Sequence, residues 1–256
     1  MVGIKTKEEI KILREGGRAL ASVMEEICAR LKPGVSALEM DELAERLVKK
    51  HNGEPSFKNY QPKGSKNSYP FSLCVSLNDE VVHGLPLREK VFKEGDIVGL
   101  DLGMKYKGLY VDMAVTKGVG KIGEREQRLV ATAAKALDAG IGAIKEGAAL
   151  GDIGFAIQSY VESNGFSVVK KLVGHGVGYS VHEEPEVPNY GRPGEGLVLR
   201  EGMVLALEPM INEGGDDVLL DEDGWTWKTA DGSLSAHFEH TVAVTKNGAE
   251  VLTKRE

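Results

Sequence analysis

Five side chains able to hold divalent cations stand in segments that give them little other reason to be there. They are Asp101 in DIVGLDLGM, Asp112 in GLYVDMAVT, His175 in GHGVG, Glu208 in MVLALEPMI and Glu239 in AHFEHTVAV. Three of the carboxylates lie in strand-like apolar runs, where an uncompensated buried charge costs several kcal/mol. A pair of divalent cations removes that cost, because four carboxylates bring about −4 and two M²⁺ about +4. Oxygen-rich ligation with one imidazole suits Mn²⁺, Fe²⁺, Co²⁺ or Zn²⁺. Two such ions about 3.5–4 Å apart can share a hydroxide nucleophile and polarise a carbonyl. The pattern predicts a two-metal hydrolase. Other chemistries fail on spacing: His182-Glu183-Glu184-Pro185-Glu186 lacks the second histidine of HExxH, and Pro185 interrupts the helix that motif needs. There is no GxSxG elbow and no GxxxxGK[ST] phosphate loop. From the residues alone His83 and His182 read as loop and turn histidines, and Cys74 as a small buried hydrophobe.

The elements that must carry these side chains are legible in the periodicity. In 96–104, Ile97, Gly99, Asp101 and Gly103 share one face of a strand, and Val98, Leu100, Leu102 and Met104 the other, so Asp101 points away from the greasier side. In 108–116, Tyr110, Asp112 and Ala114 line up together, and in 237–243 His237 and Glu239 do. Further strands are expected at 71–77, 166–173, 203–212 and 249–253, with the last ligand strand spanning 237–245. Thr6 with Glu9, and Ser36 with Glu39, form capping boxes that open two helices; the first ends at Lys32-Pro33-Gly34 and the second at Asn52-Gly53. Two more helices are expected over roughly 123–145 and from near Asp152 to Asn164-Gly165.

The chain also echoes itself. LKPGVSALEMDELAERLVKKHNG (31–53) resembles IKEGAALGDIGFAIQSYVESNGF (144–166), and KEGDIVGLDLG (93–103) matches REGMVLALEPM (200–210), which sets Asp101 opposite Glu208. VDMAVT (111–116) resembles FEHTVAVT (238–245), which sets Asp112 near Glu239. A period of about 110 residues is too long for a solenoid repeat. The expectation is one α+β domain over 1–256 made of two related halves, about 1–120 and 121–256, each giving two carboxylates to a shared site. A net charge of −7 argues against a general nucleic-acid binder. Two unclustered cysteines and the absence of a leader or an apolar span point to a soluble cytoplasmic protein.

Taken together, NDEVVHG (78–84), the Asp101/Asp112 pair, GHGVGYSVHEEP (174–185), LEPM (207–210) and SLSAHFEHT (233–241) closely resemble type I methionine aminopeptidases over nearly the whole chain. The resemblance implies the pseudo-two-fold "pita-bread" fold of peptidase family M24, with a central antiparallel sheet and outer helices. It implies hydrolytic removal of the initiator methionine from nascent polypeptides when the second residue is small, by a metal-bridging hydroxide. Asp112 and Glu239 would bridge two ions (Co, Mn, Fe or Zn), Asp101 would hold one, and His175 and Glu208 the other. Glu208 would also handle the proton of the attacking water, and His83 and His182 would contact the scissile amide and the intermediate. Tyr69, Cys74 and Trp225 resemble the residues that receive the methionine side chain. The Lys/Ser/Gly-rich stretch 55–71 is longer than in the shortest bacterial forms of the family, and Val181 stands where some members carry an aromatic that narrows the pocket. A monomer, and transient ribosome contact through Lys58, Lys63 and Lys66, are further expectations. The alternatives are an Xaa-Pro aminopeptidase or prolidase, disfavoured by the absence of an extra N-terminal domain, and a non-catalytic binding protein of the same fold.

Overall fold

The structure, a computed structural model, describes residues 2–62 and 67–255. Helix α1 (Lys7–Cys28) begins where the Thr6 hydroxyl accepts the Glu9 N–H and the Glu9 carboxylate accepts the Thr6 N–H. Helix α2 (Ala37–Lys50) repeats the device with Ser36 and Glu39, satisfying donors that the first turn leaves without partners. The chain continues through β1 (Glu54–Pro55), β2 (Cys74–Leu77), β3 (Glu80–Val82), β4 (Ile97–Tyr106) and β5 (Leu109–Gly118). Helices α3 (Glu124–Gly142) and α4 (Leu150–Ser163) follow, then β6 (Ser167–Val168), β7 (Gly174–Gly176), β8 (Glu183–Val187), β9 (Val204–Leu207) and β10 (Met210–Asn212). The last strands are β11 (Val218–Leu220), β12 (Trp227–Thr229), β13 (Ser235–His237), β14 (Glu239–Thr245) and β15 (Gly248–Val251). Among the described residues no helix is long and apolar enough to cross a membrane.

The main sheet is antiparallel, in the order β1-β4-β5-β14-β9-β7-β8, with β2 also paired to β4 and β15 to β14. Two helix pairs cover it. Leu20 and Met24 of α1 and Met40 and Val48 of α2 belong to one core with Leu100, Leu102 and Met104 of β4. Leu129 and Leu137 of α3 and Ile153 and Ile157 of α4 belong to a second core with Leu205, Val242 and Val244. Burying each such side chain contributes roughly 1.5–3 kcal/mol. Because strand side chains alternate, Leu100 and Leu102 facing the helices turns Asp101 to the other side of the sheet. The echoed segments make matching turns. Gly34 and Gly147, ahead of α2 and α4, have φ +87° and +86°; Gly95 and Gly202, ahead of β4 and β9, have +91° and +89°.

Five expected strands come out shorter or broken: the run 237–245 divides at Phe238, so that His237 ends β13 beside β10 while Glu239 opens β14 in the main sheet, and 249–253 ends at Val251. In 166–173 only Ser167–Val168 is strand, and it pairs with β10. The run 203–212 divides at Glu208-Pro209, since Pro209 has no N–H for a ladder; β10 then leaves the main sheet to pair with β13 and β6. The run 71–77 starts only at Cys74, because the Ser72 and Leu73 N–H groups go to Asp41 instead of a neighbouring strand.

Candidate metal centre and substrate cavity

Strand register gathers the carboxylates. Across β2, β4, β5 and β14, Cys74 stands opposite Asp101, Asp101 opposite Ala114, and Ala114 opposite Glu239. Asp112 lies two residues from Ala114 on the same face of β5, opposite Gly103. A Cβ on Gly103 would sit 2.1 Å from Ser56 Oγ and 2.7 Å from Phe57 Cε1, so the glycine leaves its space to the 56–57 segment. The Asp112 backbone is pinned on both sides by Thr241, whose hydroxyl takes its N–H and faces its C=O, each at 2.8 Å. Glu208 follows β9 directly, and the pairing of Leu207 with His240 brings it beside Glu239. His175 arrives on β7, squeezed between β8 and β9. A Cβ on Gly174 would lie 2.4 Å from the Ala206 carbonyl oxygen, and one on Gly176 2.3 Å from that of Glu184, so the flanking glycines admit this strand. His175 Nδ1 lies 2.9 Å from the Gly176 carbonyl, which leaves Nε2 3.3 Å from Glu208 Oε1.

All five expected ligands therefore meet. One potential ligand atom each from Asp112, His175 and Glu239 lie within 4.8 Å of one another. Asp101 lies close enough to Asp112 to raise its pKa by repulsion, and Glu208 adjoins His175. Asp101 Oδ1, Asp112 Oδ1 and Glu239 Oε1 are buried without a hydrogen-bond partner. Burial pushes the Asp101 carboxyl up to about 7. Burial, then repulsion from the neighbouring carboxylates, drives Asp112, Glu208 and Glu239 well above the carboxylate range. The adjacent imidazoles do not compensate, since burial lowers His175 and His237 to about 3. Buried carboxylates with orphaned oxygens and one imidazole, with no lysine or arginine among the described residues in an ion pair with them, fit divalent cations in chemistry and in charge.

These groups floor a cavity of about 770 Å³. His83 enters it from a left-handed backbone, φ +58°, and burial lowers its pKa to about 4, so its ring is neutral near pH 7. His182 stacks edge-on against His175, ring centroids 4.4 Å apart, and its Nδ1 lies 2.8 Å from the Tyr60 hydroxyl. Tyr69, Cys74 and Trp225 share the apolar wall; the Tyr69 and Trp225 rings meet edge-on at 5.2 Å. Burial raises the Cys74 thiol well above its usual value, so it is an apolar surface and not a nucleophile. Val181 packs in the same cluster.

The cavity also uses residues to which the motifs assign no role. Phe57 and Tyr60 complete the wall, and their signal in the sequence is an aromatic pair three apart in the otherwise polar PSFKNYQP. His237, buried and with Nε2 unpartnered, stands 3.8 Å from Glu208 Oε2. Lys58 is held by Glu45 at 2.8 Å, while Lys63 and Lys66 lie outside the described residues.

A family model described as metallopeptidase family M24 matches residues 11–246. Methionine aminopeptidase 1 of Bacillus subtilis is 45% identical over 254 residues, covering 99% of this chain and 100% of that protein. The crystal structure of a methionine aminopeptidase from Thermotoga maritima superposes with a TM-score of 0.95 at 50% identity, each chain fully covered. A prolidase from Pyrococcus furiosus shares the fold at TM-score 0.79 and 25% identity, and this chain spans 66% of its length.

Proposed function

From the premise that the chain belongs to metallopeptidase family M24, we propose that it removes the initiator methionine from new polypeptides whose second residue is small. It is a metal-dependent aminopeptidase, a metalloexopeptidase. The observation that carries the site assignment is the convergence of four buried carboxylates and His175 beneath an apolar cavity, with ligand oxygens left unpartnered. In this reading Asp101, Asp112, His175, Glu208 and Glu239 would together hold two divalent cations. Bound there, such ions supply Lewis-acid charge and lower the pKa of a water.

The protein's own groups do the rest. Glu208 accepts the proton of the attacking water and passes it to the leaving amine, acting as general base and then general acid. With Nδ1 of His182 engaged by Tyr60, Nε2 is the nitrogen left to donate to the scissile carbonyl oxygen. His83, neutral near pH 7, can donate on the same side without adding charge. Donors placed this way help most where negative charge develops in the transition state. Phe57, Tyr60, Tyr69, Cys74 and Trp225 take the thioether side chain in a sleeve that excludes water.

The chain is read as one catalytic domain of two related halves, supported by the matched turns at Gly34 and Gly147 and at Gly95 and Gly202. A cytoplasmic monomer that meets the ribosome transiently completes the proposal. Charge reversal at Lys63 and Lys66 that leaves ribosome co-sedimentation unchanged removes that contact surface. The deciding experiment strips the protein with a chelator and offers Met-Ala-Ser, Ala-Ala-Ser and Xaa-Pro peptides as Mn²⁺, Fe²⁺, Co²⁺ or Zn²⁺ is returned. Methionine release from Met-Ala-Ser only after metal addition is expected. Preferential cleavage of an Xaa-Pro bond, or no cleavage by folded, metal-loaded protein, overturns the reading.

A further inference from the structure

Asp41 is a buried carboxylate that the metal chemistry does not use. It sits on α2, 5% exposed, and no part of it lines the cavity. Its Oδ1 accepts two backbone N–H groups, from Ser72 at 2.7 Å and Leu73 at 2.9 Å. Both residues are fully buried outside any strand, so without Asp41 these donors would lose their partner. One residue further on, Cys74 enters the cavity wall. The Leu73 carbonyl faces the Tyr69 hydroxyl at 3.1 Å, and the same hydroxyl lies 3.1 Å from the carbonyl of Gly84, the residue after His83. Tyr69 in turn pairs with the other wall segment: its N–H donates to the Tyr60 carbonyl at 2.8 Å, and its carbonyl accepts from the Asn59 N–H at 2.7 Å. One turn along α2, Glu45 takes the Lys58 ammonium at 2.8 Å, between Phe57 and Tyr60.

We propose that Asp41, with Glu45 in support, is a positioning residue that sets the side-chain selectivity of the methionine sleeve by holding the 57–60 and 69–74 wall segments from behind. The proposal rests on the aminopeptidase reading of the cavity. Residues 57–60 and 69–73 lie outside any strand, so these side-chain ties help to set their distance from the sheet that Cys74 joins. Methionine is recognised by shape, where one misplaced methylene changes discrimination by about 10–200-fold. A wall displaced by a fraction of an ångström therefore acts on selectivity before it acts on chemistry.

The test compares Asp41→Ala with Asp41→Asn in metal-loaded protein, using Met-Ala-Ser and Leu-Ala-Ser. Asp41→Ala is expected to raise KM for Met-Ala-Ser by about tenfold, leave kcat within about threefold, and cut the preference for methionine over leucine by about tenfold. Asp41→Asn should restore both values, because an amide oxygen can accept both N–H groups. A general loss of structure would instead lower kcat and metal content and would not be rescued by asparagine. Unchanged KM and selectivity in folded Asp41→Ala, or a loss confined to kcat, overturns the proposal. Should Asp41→Ala fail to fold, Glu45→Ala and Lys58→Ala decide it: both must lower methionine-over-leucine selectivity, the double variant no further than either single one. Binding of free L-methionine, followed by tryptophan fluorescence, reads the sleeve without turnover and should weaken in Asp41→Ala but not in Asp41→Asn. Wild-type protein that neither binds methionine nor cleaves Met-Ala-Ser sinks the aminopeptidase reading, whereas active wild type with an unaltered Asp41→Ala variant sinks this inference alone.

Discussion

Glu208 adjoins His175 at 3.3 Å and His237 at 3.8 Å, and its side chain lies among three other buried carboxylates. The proposed function gives it two roles, ligand and proton carrier, and the two separate by substitution. Glu208→Gln keeps an oxygen for coordination but cannot take a proton. It should fold normally and lower kcat by about 10²–10⁴, the usual scale for losing acid–base help. Steady-state kinetics with metal content measured in parallel checks this, and an unchanged kcat removes Glu208 from proton transfer. The ligand types are legible in the sequence because an Asp in a run such as IVGLDLGM has no ordinary partner in its own strand. Asp41 is not legible there, since a carboxylate on a helix facing a distant loop leaves no local trace.

At the scale of elements, β7 fits closely between its neighbours. Its glycines are required by carbonyls on both neighbouring strands, and its single side chain, His175, is the candidate imidazole ligand. Gly174→Ala must push β7 away from β9, because the new methyl would meet the Ala206 carbonyl at 2.4 Å. Overpacking of this kind costs typically about 1–3 kcal/mol. The expected result is a lowered melting temperature together with weaker metal binding, measured by thermal unfolding and by metal titration of the same samples. Normal metal affinity in a destabilised Gly174→Ala would mean that His175 can reach its place without β7 in register. The helices are legible in detail from Thr6/Glu9 and Ser36/Glu39, because capping is local chemistry. The strands are legible in position but less so in length: Pro209 and Asp41 end them through groups that periodicity does not weigh.

For the whole molecule, stability and metal binding are linked through the shared carboxylates. Without metal, burial raises the pKa of Asp101 to about 7 and those of Asp112, Glu208 and Glu239 well above their usual range. The unfolded chain titrates these carboxyls near about 4 and its histidines near about 6.5, whereas burial lowers His83, His175 and His237 to about 3 or 4, so at acid pH the two sets oppose each other. Above about 6.5 the histidines are neutral in both states, the folded, metal-stripped state binds more protons than the unfolded one, and its stability falls as pH rises through about 7 and beyond. Bound divalent cations favour the ionised ligands and oppose that slope. Chelator-treated protein should lose melting temperature steadily between about pH 6.5 and 8.5, and protein saturated with Mn²⁺ should not. Parallel melting curves across that range check it; identical slopes with and without metal would mean that the carboxylate cluster is not the metal site.

The order of residues by itself determined the candidate ligand types, the starts of α1 and α2 and the echo between the two segments carrying Asp101 and Glu208, while α1 ends at Cys28, short of the expected Lys32-Pro33-Gly34. Only the tertiary structure decided that β5 and β14 pair so that Glu239 stands opposite Ala114, two residues along the strand from Asp112, and that His175 arrives between β8 and β9. It alone placed Tyr60 on His182 and Asp41 behind the cavity wall. Those contacts join residues tens to more than a hundred positions apart. Their existence depends on strand register and on how loops fill the space that glycines leave, and neither is written in any one stretch of chain.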